Sequence, residues 1–252
     1  MLRVSDLVLG YGEEPVLEGV SLEVPSGKFV SLVGPSGSGK TSILRAITGL
    51  LTLRSGRVDL SEGRDSLGFL FQDDALLPWR TARENVALGL RIRKISTSTA
   101  LTEADGWLNR LGLTGFGHRF PHELSGGQRK RVAIAQVLAL KPKLLLMDEP
   151  FAALDAIVRT RITQELLNWV EREHLSVLLV THDLEEALTV SDRVYLLSQG
   201  PRARVQSSYD VSIPRPRDIF ACRRHPSFAP LLEQLWSDMS HGMNALRIEA
   251  AR

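Results

Sequence analysis

The stretch "KFVSLVGPSGSGKTSILRAITGL", residues 28–50, constrains the fold more than any other. A short apolar run ends at a turn holding Gly34, Gly37 and Gly39. A helical pattern follows at once, with Ile43, Leu44 and Ile47 on one face. A buried strand, a glycine turn and a helix in that order open a parallel α/β sheet. The turn fits G-x-x-x-x-G-K-[ST] from Gly34 to Thr41. Glycines let the backbone wrap close to an anion so that N–H groups converge on phosphate oxygens, and the following helix adds its positive end. Gly34, Pro35, Ser36, Gly37, Ser38, Gly39, Lys40, Thr41 and Ser42 therefore form a candidate site for a nucleoside triphosphate. In it Lys40 reaches the β- and γ-phosphates and the Thr41 hydroxyl ligates Mg²⁺.

The rest of the chain supports a sheet of this kind. Residues 2–9 and 16–24 pattern as strands around the turn "GYGEEP", and "SGRVDL" and "SLGFLFQ" as further short strands. From Thr81 to about Leu140 the pattern is mainly helical, with Leu101, Ala104, Leu108 and Leu111 on one face. "KLLLMDEP" (143–150) and "SVLLVTHD" (176–183) are buried strands separated by a helical segment, 156–173. "RVYLLS" closes this core. "SIPRPRD" breaks the pattern, and "HPSFAPLLEQLWSDM" predicts a terminal helix. Phe228, Leu231, Leu232, Leu235, Trp236 and Met239 lie on one side of that helix.

Strand ends supply the remaining candidates. Asp148 ends the "LLLMD" run and is placed to hold Mg²⁺ or its water shell, while Glu149 is a candidate for polarising an attacking water. The alternative is a charged turn after a strand. His182 also ends a buried strand, and a structural histidine is its competing reading. Gln72 follows "LGFLF" and can reach Mg²⁺ or the lytic water through its amide, or can simply be a surface glutamine. Tyr11 is placed to stack on a base, or is an ordinary turn aromatic.

A formal net charge of +2 is too small to imply nucleic acid as a partner. The single cysteine, Cys222, rules out an intrachain disulfide and fits a reducing compartment. No secretory signal pattern opens the chain, and no apolar run approaches the roughly 18 to 20 residues of a spanning helix. The expectation is a soluble, cytoplasmic protein that meets a membrane only through a partner.

A second glycine turn, "LSGGQ" (Leu124, Ser125, Gly126, Gly127 and Gln128), precedes another helical pattern. With "GPSGSGKT", Gln72, "LLLMDE", the "ALD" at 153–155 and His182, it gives an order of motifs that resembles the ATPase subunits of ABC transporters over nearly the whole chain. The resemblance implies an α/β fold: a RecA-like P-loop NTPase core, a small antiparallel β-subdomain and an inserted helical signature subdomain. It also implies a head-to-tail homodimer with two ATP between its subunits, Ser125, Gly126 and Gly127 of one copy facing the γ-phosphate held by the other. A helix start with two unhindered N–H groups suits that task. The simpler alternative, in which the turn only caps a helix, predicts normal ATP turnover after Ser125→Arg. By resemblance, Asp155 lies in the loop that crosses the dimer interface and His182 is the switch histidine at the γ-phosphate.

"LLPW" (Leu76, Leu77, Pro78 and Trp79) and the tail "IPRPRD" resemble the importer ATPases of the nitrate, sulfonate and taurine group. That implies coupling of the "LLPW" region to two membrane-spanning permease subunits, an extracytoplasmic solute-binding protein, and a peripheral place on the cytoplasmic face of the inner membrane. Burial of the same four residues within the helical part is the alternative. A soluble ABC-type ATPase with no membrane partner is the competing function. The sequence departs from the family at Gln136, where Arg is usual. The expected organisation is an ATPase domain over 1–212, its helical subdomain inserted at about 76–140, followed by a C-terminal segment over 213–252. The solute is recognised by other subunits and is not legible in this chain.

Overall fold

The computed structural model describes residues 1–249, with side chains described through His241. In chain order its elements begin with β1 (Leu2–Leu9), β2 (Leu17–Val24), β3 (Phe29–Val33), α1 (Lys40–Thr48), β4 (Ser55–Leu60) and β5 (Leu67–Leu70). Next come α2 (Ala82–Ile92), α3 (Thr97–Arg110), α4 (Gly126–Leu138), β6 (Leu144–Asp148) and α5 (Ala156–Arg172). The chain ends with β7 (Ser176–Val180), α6 (Leu184–Val190), β8 (Arg193–Leu197), β9 (Val205–Asp210), α7 (Ile219–Arg224) and α8 (Phe228–Glu249). They form two compact units, Met1–Asp65 with Leu167–Arg252, and Ser66–Leu166.

The first unit contains two sheets. β1 pairs antiparallel with β2 and with β4, and alternation along β1 and β2 buries Leu2, Val4, Leu7, Leu9, Val20 and Val24. In the other sheet β3 lies between β7 and β8, parallel to both, with Leu32 opposite Val180 and Tyr195. Every residue of β3 and β7 is buried, which is why both appear as near-continuous apolar runs, with Ser31 and Ser176 as their only polar members. β9 adds an antiparallel edge to β8. The sequence reading ended the core at β8 and missed this strand. "VQSSYD" carries polar residues on its outer face, so it lacks the apolar run of the inner strands.

The C-terminal segment packs onto this unit. Ile213, Cys222, Phe228 and Leu235 join Val33, Leu188, Val194 and Leu196 in one buried cluster, against which Leu231, Leu232 and Met239 also pack. Trp236 departs from expectation. It is 52% exposed, because the buried stripe of α8 passes through Phe228 and Leu235 and leaves it off the packed side. Polar bonds hold the proline-rich entry. Asp192 accepts hydrogen bonds from the Phe29 amide and from Arg215, whose Nε and Nη2 lie 3.1 and 2.7 Å away. Buried Arg217 donates to the carbonyls of Ser191 and Ile213 and pairs with Asp192 at 3.4 Å. Burial pulls its pKa below the ordinary value, and the Asp192 charge opposes that shift.

In the second unit β5 and β6 pair in parallel, Leu70 opposite Met147. α2, α3 and α4 pack on one another through Val86, Leu90, Ala104, Leu108, Ala135 and Leu138. Each helix starts at a residue with a side-chain oxygen: Thr81, Ser96 and Ser125 accept from the Glu84, Thr99 and Gln128 amides respectively, each three residues on. Thr81 with Glu84, and Ser125 with Gln128, complete reciprocal capping boxes.

Candidate functional site

In the first unit, β3 delivers the chain into the glycine turn and α1 carries it away. Gly39 caps α1 at a φ of 88°, a left-handed conformation, and a Cβ there would lie 2.9 Å from Leu17 Cγ. Glycine is required on both counts. The start of α1 has no side-chain cap and no acidic residue in its first turn. No side chain of its own therefore competes for the positive end of its dipole, which favours an anion. Lys40 is buried, with its ammonium bonded to the Gly34 and Pro35 carbonyls at 2.8 Å each, so a fixed positive charge sits inside the turn. Ser38 Oγ is buried and has no hydrogen-bond partner. A buried positive charge, an uncapped helix start and an unpartnered hydroxyl make a cradle for an anion with several oxygens, such as a phosphate chain.

Two other candidates lie in the same unit. The parallel pairing of β3 with β7 sets His182, exposed two residues beyond the end of β7, at the same sheet edge as the glycine turn. Thr181 and Asp183 fix this corner: the Thr181 hydroxyl accepts from the Asp183 amide, and the Asp183 carboxylate caps α6. Tyr11 is 64% exposed, and its hydroxyl shares a 3.0 Å hydrogen bond with the hydroxyl of Ser42 on α1. Its ring is thus anchored beside the glycine turn with its faces open, which suits stacking on a planar base. Arg54 holds the Tyr11 turn from below by donating to the Glu13 carbonyl at 2.7 Å. No local pattern reveals a partner that far away in the chain.

The second unit gathers the rest. Parallel pairing of β5 with β6 brings Gln72 and the Asp148–Glu149 pair to the same end of two neighbouring strands. Asp148 is 7% exposed and Gln72 is open to solvent. Glu149 has a φ of 43°, a left-handed conformation rare for a side chain of this size, so its direction is set by the turn and not by backbone preference. Among the described residues no three His, Cys, Asp or Glu side chains cluster as a metal cage.

Ser125 does cap α4, and Gln128 returns the bond to the Ser125 amide at 2.9 Å. The box engages the amides of Ser125 and Gln128 and leaves those of Gly126 and Gly127 outside it. These two glycines, Asp155 and the side chains of Arg131 and Arg161 line one open depression of about 560 Å³. Asp155 itself accepts from the Val158 amide at 3.0 Å at the start of α5. Two glycine amides, a helix start and exposed Arg161 again favour an anion, while Arg131 is committed to Glu165 and to the Leu111 carbonyl.

Of the four "LLPW" residues, Trp79 is 71% exposed and Pro78 is exposed, whereas Leu76 and Leu77 are half-buried. Only the second half of the four-residue stretch therefore offers an exposed surface for coupling. An apolar groove of about 230 Å³, lined by Phe71, Leu88, Ile92, Gln136 and Leu140, reaches as far along the chain as Ala75 and includes none of the "LLPW" residues. Fully buried Asn85 pins the turn. Its Oδ1 accepts from the Leu77 amide at 2.7 Å, and its Nδ2 donates to the carbonyls of Leu77, Arg80 and Thr81. Sequence reasoning passed over Asn85, although a polar residue inside the apolar stripe of α2 was a usable signal.

Comparison with known proteins agrees with this arrangement. The family profile described as "ABC transporter" matches residues 17–152. The sulfate/thiosulfate import ATP-binding protein CysA of Nocardia farcinica is 43% identical, the match covering 87% of this chain and 69% of that protein. The taurine import ATP-binding protein TauB of Escherichia coli O157:H7 is also 43% identical, over 80% of this chain and 81% of its own length. The nitrate import ATP-binding protein NrtC of Synechococcus elongatus is 38% identical over 94% of this chain, which spans only 37% of that longer protein. Among solved structures, the dimeric bacterial ABC transporter cassette MJ0796 superposes with a TM-score of 0.75 at 33% identity, over 85% of this chain and all of that one. A post-hydrolysis dimer of the same cassette bound to ADP and Pi gives 0.74. With its strand–turn–helix cradle and its capped signature helix, this chain belongs to the ABC transporter family, among the ATPase subunits.

Proposed function

We propose that the chain is the ATP-hydrolysing subunit of an import system, dimerising around two ATP to drive a small solute through two membrane-spanning partner subunits. The observation that carries this reading is the contrast between two helix starts. α1 begins without any cap around a buried Lys40, and α4 begins with a self-sufficient cap that leaves only Gly126 and Gly127 facing outward. The first suits an enclosed phosphate chain, and the second suits the exposed γ-phosphate face of a chain held elsewhere. A second copy supplies the second turn most simply, and ATP then holds the two copies together.

Within each shared site, Tyr11 stacks on adenine, residues 34–42 wrap the phosphates, and Ser125, Gly126 and Gly127 of the partner copy close the γ-phosphate face. Asp155 helps position the opposite site. Thr41, Gln72 and Asp148 would hold Mg²⁺, which supplies charge neutralisation at the β- and γ-oxygens. Glu149 polarises the attacking water, and His182 holds the γ-phosphate oxygens.

The import role rests on relatives named for sulfate, nitrate, bicarbonate and taurine uptake. It also rests on Trp79 standing exposed on a turn that Asn85 pins. No helix among the described residues is long and apolar enough to cross a membrane, so partner subunits would form the path. The chain then sits at the cytoplasmic face of the inner membrane and receives its solute through an extracytoplasmic binding protein. The solute is a small one, of the kind of nitrate, sulfonates or taurine, and its identity is set by the other subunits. Reconstitution with candidate permease subunits tests this directly. Trp79→Ala is expected to keep basal ATPase and lose attachment to the membrane complex; loss of both together would make Trp79 part of the folded core and remove the support for coupling.

A further inference from the structure

We infer that Lys130 is a positioning residue for Gln72, tying the turn that carries this glutamine to the signature helix. The inference rests on the role proposed above for Gln72. Lys130 projects from α4 with its side chain only 3% exposed. Its ammonium donates to the carbonyl of Gln72 at 3.2 Å and to that of Phe71 at 3.5 Å, and pairs with the Asp74 carboxylate at 2.9 Å. These three acceptors match the three N–H donors of the ammonium, so its burial is compensated. Next to it, Arg129 bonds the Leu124 carbonyl at 2.7 Å and reaches Asp74 at 3.5 Å. Two consecutive residues of the signature helix therefore grip both sides of the segment in which Gln72 lies.

The consequence for Gln72 is geometric. Its side chain is exposed and the chain leaves β5 just before it, so the sheet does not set its height above Asp148 and Glu149. The Lys130 bond to its own carbonyl does. The same bond makes the signature turn and the metal-side glutamine move as one body. Closure of Ser125, Gly126 and Gly127 on a γ-phosphate is then felt at Gln72, and four residues further on at Leu76. An apolar side chain at position 130 would leave two carbonyls without their donor and let the Gln72 backbone shift.

The test is a double-mutant cycle on the full chain with Lys130→Met, Gln72→Ala and the pair, reading kcat and KM for ATP under excess Mg²⁺. Gln72→Ala and Lys130→Met are each expected to lower kcat by about tenfold or more, with KM changed little. The pair is expected to be no slower than Gln72→Ala alone, because the amide that Lys130 positions is then already gone. Lys130→Arg, which keeps charge and donors, should restore part of the loss. Independent, multiplying losses in the pair, or a Lys130→Met kcat equal to that of the parent, overturns the inference. If Lys130→Met does not fold, the same cycle with Lys130→Gln decides in the same way. Should Gln72→Ala alone leave kcat untouched, the reading of Gln72 fails first, so the two failures are distinguishable.

Discussion

The two signature glycines stand next to each other and answer to different constraints, which gives a sharp prediction. A Cβ on Gly127 would lie 2.7 Å from Val158 Cγ1 on α5, well inside the contact distance of about 3.5–4.0 Å. Val158 is β-branched and stiff at χ1, so it cannot swing away. Overpacking of this kind costs about 1–3 kcal/mol. A Cβ on Gly126 meets nothing closer than Arg129 Nη2 at 3.7 Å and Leu154 Cδ2 at 4.0 Å. Gly126→Ala should therefore be neutral, or stabilising by up to roughly 0.5–1 kcal/mol through backbone entropy. Its methyl would nevertheless project toward the open depression where the partner's γ-phosphate is proposed to lie. Urea denaturation and steady-state ATPase, run side by side, separate the two. Gly126→Ala is expected to keep or gain stability and lose turnover by about tenfold or more. Gly127→Ala is expected to lose stability, and Val158→Ala should restore part of it with a coupling of about 0.5–3 kcal/mol. Normal turnover in Gly126→Ala would refute the assignment of that face to a phosphate.

Three further expectations follow from the same geometry. Asn85→Ala removes the partner of backbone groups around Leu77 and Arg80, at about 1–3 kcal/mol for each group left buried and unpaired, and trypsin should then cut faster at Arg80; an unchanged cleavage rate would show that the turn holds itself. Arg217→Met leaves the Ser191 and Ile213 carbonyls without this donor, while Arg215 still pairs with Asp192, and should cost about 1–3 kcal/mol in urea. The more exposed Arg215 should cost less on the same change, and the reverse order would contradict the packing of the tail. The Thr81 amide and hydroxyl hold the Glu84 carboxyl below its ordinary 4.5, so Glu84 contributes stability above pH 4.5 that is lost as pH falls through its lower folded value. Glu84→Gln should accordingly flatten the acid limb of a stability–pH curve, and an identical limb would remove the capping box from the account.

Elements buried on both faces were legible because their pattern is unambiguous. β3, β6 and β7 are near-continuous apolar runs, and each candidate at their ends fell where a parallel strand delivers its C-terminus. β9 was not legible, since an edge strand with polar residues on its outer face looks like a loop. Trp236 misled for a related reason: an apolar residue within a helical stripe still faces solvent when the stripe is broad and the support beneath it narrow. Arg54 and Lys130 were missed because each acts on a backbone group, and backbone groups leave no trace in a residue pattern; Asn85 acts in the same way, but its polar side chain inside the apolar stripe of α2 was legible and was passed over. The "LLPW" turn shows both sides. Exposure of Trp79 was foreseen from sequence, whereas recession of Leu76 and Leu77 depends on Asn85, which tethers the Leu77 backbone from within.

The shared site itself can be tested by complementation in a Glu149→Gln background, where hydrolysis is blocked and bound ATP is retained. One chain carries Lys40→Ala, the other Ser125→Arg, and each alone should retain no ATP. Mixed in equal amounts, they form a pair in which the intact Lys40 turn of one faces the intact Ser125 turn of the other. The expected result is one ATP retained per mixed pair. No retention in the mixture, with the Glu149→Gln chain alone holding ATP, would place both turns on the nucleotide of a single copy.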